Sequence, residues 1–569
     1  MDGASREELG ELSKKGLASS PSLTPSPSPR PRGEDSSPKG RRSSPDGRRA
    51  TTSARPHPNL ALVSSTLALL FLLCVASLLA KGEVVGTLLA PLSSLVTWAV
   101  QLPWPLSRLG YLHATTTTSP VDQSAGPPID GYSNRTRAWP TTVLLISLDG
   151  FKPSYLDQGL APSLQRLGLG RQQRPHLPLH APVIGARRAE AMRPIYPTLT
   201  FPNHWSILTG LYAESHGIVA NDFHSNDGQP FLYTDPTSSW GPRWWRGTPI
   251  WESAVLSGIK SAVLMWPGPP TTQRGTSPTY FQRYQSGPEW DLVGRRRKLL
   301  EWLDMEVQKR PRLICAYVPD VDQAAHKWGP SSPQAQHAVK QVDTFISDLL
   351  DDLERRRAQD LIDIVIVSDH GMTETSNDQL VFLDRILGDE TFAKLGYRDG
   401  WPSAGLRPSS EDLEEAQIWL DLAEHALRNA SEDGKSGFDV YRSDEGQLPE
   451  RWHISGETDR VAPLWAVPRL GWSITDDKEF QAMNETYEPL GNHGYDNRES
   501  EMSAIFLARG PSFKPLAPAK ASQPDANMPI FQNTEIYNLI SAILDLPQEM
   551  RAANNGTANF WDSHLHMTS

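Results

Sequence analysis

Three short apolar runs in this chain each end on acidic residues, and they constrain the fold more than anything else in it. Residues 142–148 (TVLLISL) stop at Asp149-Gly150, Leu313–Val318 stops just before Asp320 and Asp322, and residues 362–367 stop at Ser368-Asp369-His370-Gly371. Their hydrophobicity is continuous rather than alternating, the pattern of strands covered on both faces, as in a parallel sheet. Between the last two runs, residues 334–357 carry Val339, Val342, Phe345, Ile346, Leu349, Leu350 and Leu353 at helical spacing. Strand, helix, strand is a βαβ unit, so the expected class is α/β, with a mainly parallel central sheet flanked by helices. Ligands of open sheets of this kind gather outside the carboxyl ends of the strands, where all three runs turn acidic.

The rest of the chain divides by composition. Residues 1–58 are rich in Ser, Pro, Arg and Lys and read as a disordered tail, since they cannot bury enough apolar surface to offset their ordering entropy. Residues 60–80 (LALVSSTLALLFLLCVASLLA) hold no charge and are long enough for one helical crossing of a bilayer. Lys39, Arg41, Arg42, Arg48, Arg49 and Arg55 precede this run, which predicts a cytoplasmic tail and a type II signal anchor. The chain is therefore expected to be a single-pass membrane protein with its large domain extracellular or luminal, at the plasma membrane or the vacuole. Sequons at Asn134, Asn429, Asn484 and Asn555 all fall on that outer side. Pro91, Pro103 and Pro105, with Trp98 and Trp104, suit residues 84–109 to a membrane interface rather than a second span. Residues 81–139 form a membrane-proximal segment and stalk, 140–545 the α/β domain and 546–569 a C-terminal tail. A net charge of −11 argues against sequence-specific nucleic-acid binding. With only two cysteines, Cys74 in the anchor and Cys315 in a strand, there is no disulfide framework.

Four segments carry groups suited to chemistry. In Ser368–Met372 (SDHGM), Asp369 and His370 can both reach a metal if the backbone turns sharply, which Gly371 permits; alone, the same residues read equally as a strand-end turn. Asp322 and His326 are four apart and share a helix face, although Asp320 competes as the acidic partner. His493 lies in a glycine-flanked loop, where an isolated histidine is usually just solvated. In YPTLTFPNH, Pro202 is tolerated only in the first turn of a helix, so Thr200 falls at or beside the N-cap. Threonine there is an ordinary cap, yet a hydroxyl at a helix N-terminus can also attack a phosphate bound by the same N–H groups.

Taken together and in order, LLISLDGF, YPTLTFPNHWSILTGLYAESHGI, the Asp322–Pro330 stretch, VSDHGM and NHGYDN resemble the nucleotide pyrophosphatase/phosphodiesterase family of the alkaline phosphatase superfamily, over roughly residues 140–545. The resemblance implies an alkaline-phosphatase-like fold and two Zn2+ ions. Asp149, Thr200, Asp369 and His370 would hold one ion, and Asp322, His326 and His493 the other. Thr200 would be the nucleophile, Asn221 would bind a phosphoryl oxygen, and Phe201 and Tyr284 would flank a nucleobase. The expected reaction is hydrolysis of nucleotide or dinucleotide phosphodiester and pyrophosphate bonds, releasing nucleoside 5'-monophosphates. The formal charges of two Zn2+, three aspartates and an ionised Thr200 cancel, which favours a singly charged diester over a dianionic monoester. The chain departs from the family pattern at Ala325, where glycine is common. It also lacks the cysteine-rich modules of the animal members. A lysophospholipid or glycerophosphodiester hydrolase with the same metal centre is the alternative; a non-catalytic membrane-bound binding protein is the rival from another class.

Overall fold

The computed structural model describes residues 131–133, 137–169, 184–432, 436–456, 458–516 and 528–566. The expected tail, anchor and nearly all of the stalk lie outside the described residues, as does the sequon at Asn134. No described helix is long and apolar enough to cross a membrane.

The central sheet has seven strands: β1 (Val143–Leu148), β2 (Gly185–Arg188), β3 (Ser261–Leu264), β4 (Tyr280–Gln282), β5 (Leu313–Val318), β6 (Asp363–Val367) and β7 (Phe506–Gly510). Their order is β2-β7-β6-β1-β5-β3-β4. β7 runs antiparallel to both its neighbours; every other pairing is parallel. The three apolar runs of the sequence are thus the adjacent central strands β6, β1 and β5. Leu313 and Asp363 both pair with Val143, so the three carboxyl ends finish level.

All six residues of β1 are buried, and they alternate between two cores. Val143 and Leu145, with Leu313, Cys315, Val365 and Val367, pack toward Trp205 and Ile207 of helix α1 (Thr200–Thr209). Leu144, Ile146 and Leu148 face the other way. After β5 come α2 (Asp320–Trp328) and α3 (Pro333–Arg355), and α3 covers that second face with Val339, Val342, Phe345, Ile346, Leu349 and Leu353. Burying each such side chain contributes roughly 1.5–3 kcal/mol, which explains why these strands are almost wholly apolar; buried Ser147, the one polar residue of β1, is bonded to His204. Ser332 caps α3 by accepting from the Ala335 N–H, and Pro333 occupies its first turn.

Two parts of the domain were not anticipated. Residues 395–468 build a four-stranded antiparallel sheet in the order Leu395–Asp399, Ala404–Pro408, Leu464–Pro468, Phe438–Arg442. Helix α4 (Leu413–Ser431) lays Trp419, Leu420, Ala423 and Leu427 onto it, giving this lobe its own core. The segment after residue 545, expected as a tail, instead returns to the body. Trp561 and Leu565 are buried in the first core, and Phe513 bridges to Leu565.

Candidate metal centre

The level strand ends deliver their polar residues to one place. Asp149 directly follows β1, Asp369 and His370 follow β6, and Asp322 and His326 sit on α2, directly after β5. His493 follows the two-residue strand Gly491–Asn492, which pairs with Thr373–Glu374. These residues form two groups able to hold a metal ion: Asp149, Asp369 and His370, and Asp322, His326 and His493. The His370 and His493 rings stack at 3.5 Å between centroids and 14° between planes, so the two groups adjoin.

Each histidine is oriented by its far nitrogen. Nδ1 of His326, His370 and His493 faces the carbonyl of Gly491, Gly371 and Thr198 respectively, each at 2.8 Å. Donating there, each ring turns its Nε2 lone pair into the site, the arrangement typical of metal-ligating histidine. With both rings neutral, Nε2 of His326 and of His493 lie 3.1 Å apart with no hydrogen for either to share, a repulsive contact that a cation between them relieves. Nε2 of His370 is 3.0 Å from Asp369 Oδ2 and 3.4 Å from Asp149 Oδ1, and Asp322 Oδ1 lies 3.4 Å from His326 Nε2. Those three carboxylate oxygens are buried without a hydrogen-bond partner. Their companions are not all idle: Asp149 Oδ2 accepts from the Tyr317 hydroxyl and Asp369 Oδ1 from the Gly150 N–H. Unpaired oxygens converging on lone-pair nitrogens fit divalent cations, and carboxylate with imidazole is a donor set suited to zinc.

The electrostatics agree. Burial, reinforced by Asp369 and Asp322, pushes the Asp149 carboxyl well above the usual range. Burial also acts to raise Asp369, but the facing His370 and His204 outweigh it and hold that group well below the ordinary value. A site that needs several charges within so small a volume is stable only with compensating positive charge.

Thr200 is the first residue of α1, beside rather than at the cap, which is Leu199. Its Oγ1 lies 3.2 Å from His370 Nε2. Asn221 accepts the Phe201 N–H through Oδ1 at 2.9 Å, which leaves its amide N–H groups as donors beside the first turn of α1. Phe201 packs edge-on against Tyr233 at 5.3 Å. The Tyr284 ring lies 6.3 Å from that of Tyr317, the hydrogen-bond partner of Asp149, and its hydroxyl accepts from Gln323 of α2. The competition between Asp320 and Asp322 is resolved: Asp320 Oδ2 pairs with Arg295 at 2.7 Å and Asp322 turns into the site. Ala325 lies inside α2 with no positive φ, so its methyl strains nothing. Gly371 matters for a different reason than expected. Its φ is not positive, but a Cβ there would sit 2.0 Å from the Glu501 carbonyl oxygen.

His204, Tyr317 and Thr198 escaped the sequence reading. Buried His204 bonds the Thr200 carbonyl at 2.8 Å and Ser147 Oγ at 2.9 Å, bracing α1 against β1. It stands four residues after Thr200, so helical spacing was the available signal.

Comparison with known proteins places this geometry. The chain is 38% identical over 436 residues to an uncharacterized pyrophosphatase/phosphodiesterase of Schizosaccharomyces pombe, covering 76% of this chain and 82% of that protein. It is 31% identical to human ectonucleotide pyrophosphatase/phosphodiesterase family member 1, over 73% of this chain but only 41% of the human one. Murine ectonucleotide pyrophosphatase/phosphodiesterase 5, solved in an inactive form in complex with AMP, superposes with a TM-score of 0.61 at 28% identity, covering 75% of this chain and 100% of that one. The description of the type I phosphodiesterase/nucleotide pyrophosphatase family matches residues 143–496, and the chain belongs to that family of hydrolases, with its alkaline-phosphatase-like fold.

Proposed function

We propose that the protein hydrolyses nucleotide phosphodiester and pyrophosphate bonds, releasing nucleoside 5'-monophosphates, with Thr200 as nucleophile and two Zn2+ as cofactors. The observation that carries this reading is the position of Thr200 Oγ1, at the start of α1 and 3.2 Å from His370, where the two ligand groups meet. Asp149, Thr200, Asp369 and His370 would hold one zinc, and Asp322, His326 and His493 the other. Bound there, zinc supplies Lewis acidity that lowers the pKa of the Thr200 hydroxyl and offsets charge on the phosphoryl oxygens.

The chain's own residues do the rest. Thr200 Oγ1 forms a bond to the α-phosphorus as the bond to the leaving oxygen breaks, and water then displaces Oγ1 to release the monophosphate. Asn221, held by the Phe201 N–H, directs its amide N–H groups at a phosphoryl oxygen. His204 ties the Thr200 carbonyl to β1, which fixes the direction of attack. Phe201 and Tyr284 supply aromatic surface for a nucleobase. The AMP bound by the murine relative supports a nucleotide substrate. The exposed sequons at Asn429, Asn484 and Asn555 support a domain facing the lumen or the outside, tethered by residues 60–80.

The test is a substrate panel with wild type and Thr200→Ala. p-Nitrophenyl thymidine 5'-monophosphate and a dinucleotide should be cleaved well, and p-nitrophenyl phosphate and a lysophospholipid poorly. Thr200→Ala should abolish turnover yet keep its zinc. Preferential cleavage of the lysophospholipid would replace this substrate reading, and normal turnover by Thr200→Ala would move the nucleophile elsewhere.

A further inference from the structure

Both metal groups are assembled from segments far apart in sequence, so something must set their separation. Strands β1, β5 and β6 hold Asp149, Asp322, Asp369 and His370 in one rigid frame. His493 stands apart from that frame. It follows a strand of only two residues, and yet its ring must serve the Asp322 group while stacking on His370 of the other.

The contacts around His493 converge on one residue, through both its hydroxyl and its main-chain carbonyl. Thr198 is fully buried, two residues before the proposed nucleophile. Its Oγ1 donates to the Tyr495 carbonyl at 2.9 Å and accepts the Gly494 N–H at 2.9 Å. Its carbonyl takes the His493 Nδ1–H at 2.8 Å. One threonine therefore binds three successive residues of the loop that carries His493. The junction has no slack: a Cβ on Gly494 would meet Pro402 Cδ at 2.5 Å and Leu199 Cδ2 at 2.9 Å. A hydroxyl is needed here because it must donate and accept at once.

We infer that Thr198 is a positioning residue that clasps the His493 loop to the Thr200 loop and so fixes the spacing of the two metal groups. It touches neither substrate nor metal. It acts through His493, whose ring direction and distance from His326 it determines. This rests on the two-zinc reading above and adds to it the element that couples the two halves.

The experiment compares full-length wild type, Thr198→Val and Thr198→Ser, each loaded with zinc and titrated with a chelator, with bound zinc counted by mass spectrometry. Thr198→Val keeps the volume but leaves the Gly494 N–H and Tyr495 carbonyl without their partner. Removing such supporting contacts typically weakens a metal site by about 10–100-fold. We expect Thr198→Val to lose one of its two zincs at correspondingly lower chelator, with the other unaffected, and Thr198→Ser to restore the wild-type curve. The three metal-free proteins are melted as well; the unpaired Gly494 N–H and Tyr495 carbonyl lower the melting temperature of Thr198→Val in either case, so the deciding sign of a merely structural role is release of both zincs together. That outcome overturns the inference, as does a wild-type curve for Thr198→Val or a valine-like curve for Thr198→Ser. A wild type that binds fewer than two zincs overturns the two-zinc reading and this inference with it. Two zincs in wild type with an unchanged Thr198→Val overturns the clasp alone.

Discussion

Replacing Gly494 by alanine tests how tightly the site is built. The glycine has φ of 105°, and L-residues in left-handed conformations typically cost about 1–2 kcal/mol. The new methyl would lie 2.5 Å from Pro402 Cδ and 2.9 Å from Leu199 Cδ2, closer than side chains approach one another. Leu199 can rotate away, but the proline ring cannot, and overpacking of this kind costs about 1–3 kcal/mol. The sum is roughly 2–5 kcal/mol, which for a body of this size lowers Tm by about 2–6 °C. Relief is available only by moving the loop, and the loop carries His493. The assay is therefore thermal melting with zinc counting on the same samples. Gly494→Ala should melt lower, lose a zinc, or both. A variant with wild-type Tm and two tightly held zincs would refute the packing argument.

Other consequences follow from single contacts. On the proposed two-zinc reading, Asp322→Asn should weaken zinc binding by on the order of 100-fold, because it removes the carboxylate of the Asp322 group. Asp320→Asn should leave zinc binding intact and cost about 1–2 kcal/mol through the loss of its pairing with Arg295, a modest figure since Asp320 is partly solvated; a dialysis series with zinc counting separates the two. Burial raises the Asp363 carboxyl to about 7, even though it accepts from the Ser512 N–H and hydroxyl. A carboxyl raised in the folded state binds more protons folded than unfolded, so stability falls as pH rises from near 4 to near 7, by on the order of 3 kcal/mol. Asp363→Asn should flatten that slope, and its Tm advantage over wild type should widen between pH 5 and pH 8; a constant difference would contradict the assignment.

What could be read from the sequence, and what could not, follows from how locally each feature is encoded. Strands β1, β5 and β6 are continuous apolar runs because both faces are buried, and a run of that kind is visible without any knowledge of its partners. The acidic residues and His370 at or just beyond their ends, which the structure gathers into two groups able to hold a metal ion, were visible for the same reason. The lobe at residues 395–468 was missed because its edge strand, Leu395–Asp399, is partly exposed and shows no apolar run, and because α4 leaves Ile418 and Leu422 on its outer surface, which blurs the apolar stripe. Trp561 and Leu565 reach the core only through contacts with distant residues such as Phe513, so nothing local marks them as buried. Thr198 gave no signal either. Its significance lies in three bonds to a loop almost three hundred residues away. The four-residue spacing to His326 favoured Asp322 over Asp320, and the pairing of Asp320 with Arg295 agrees with that choice.

The central claim is that phosphorus is attacked first by Thr200 and then by water. The most direct measurement is the stereochemical course of hydrolysis of a diester made chiral at phosphorus, run in isotopically labelled water. Two successive in-line displacements predict net retention of configuration. Net inversion would mean that water attacks directly, and would contradict the nucleophilic role of Thr200.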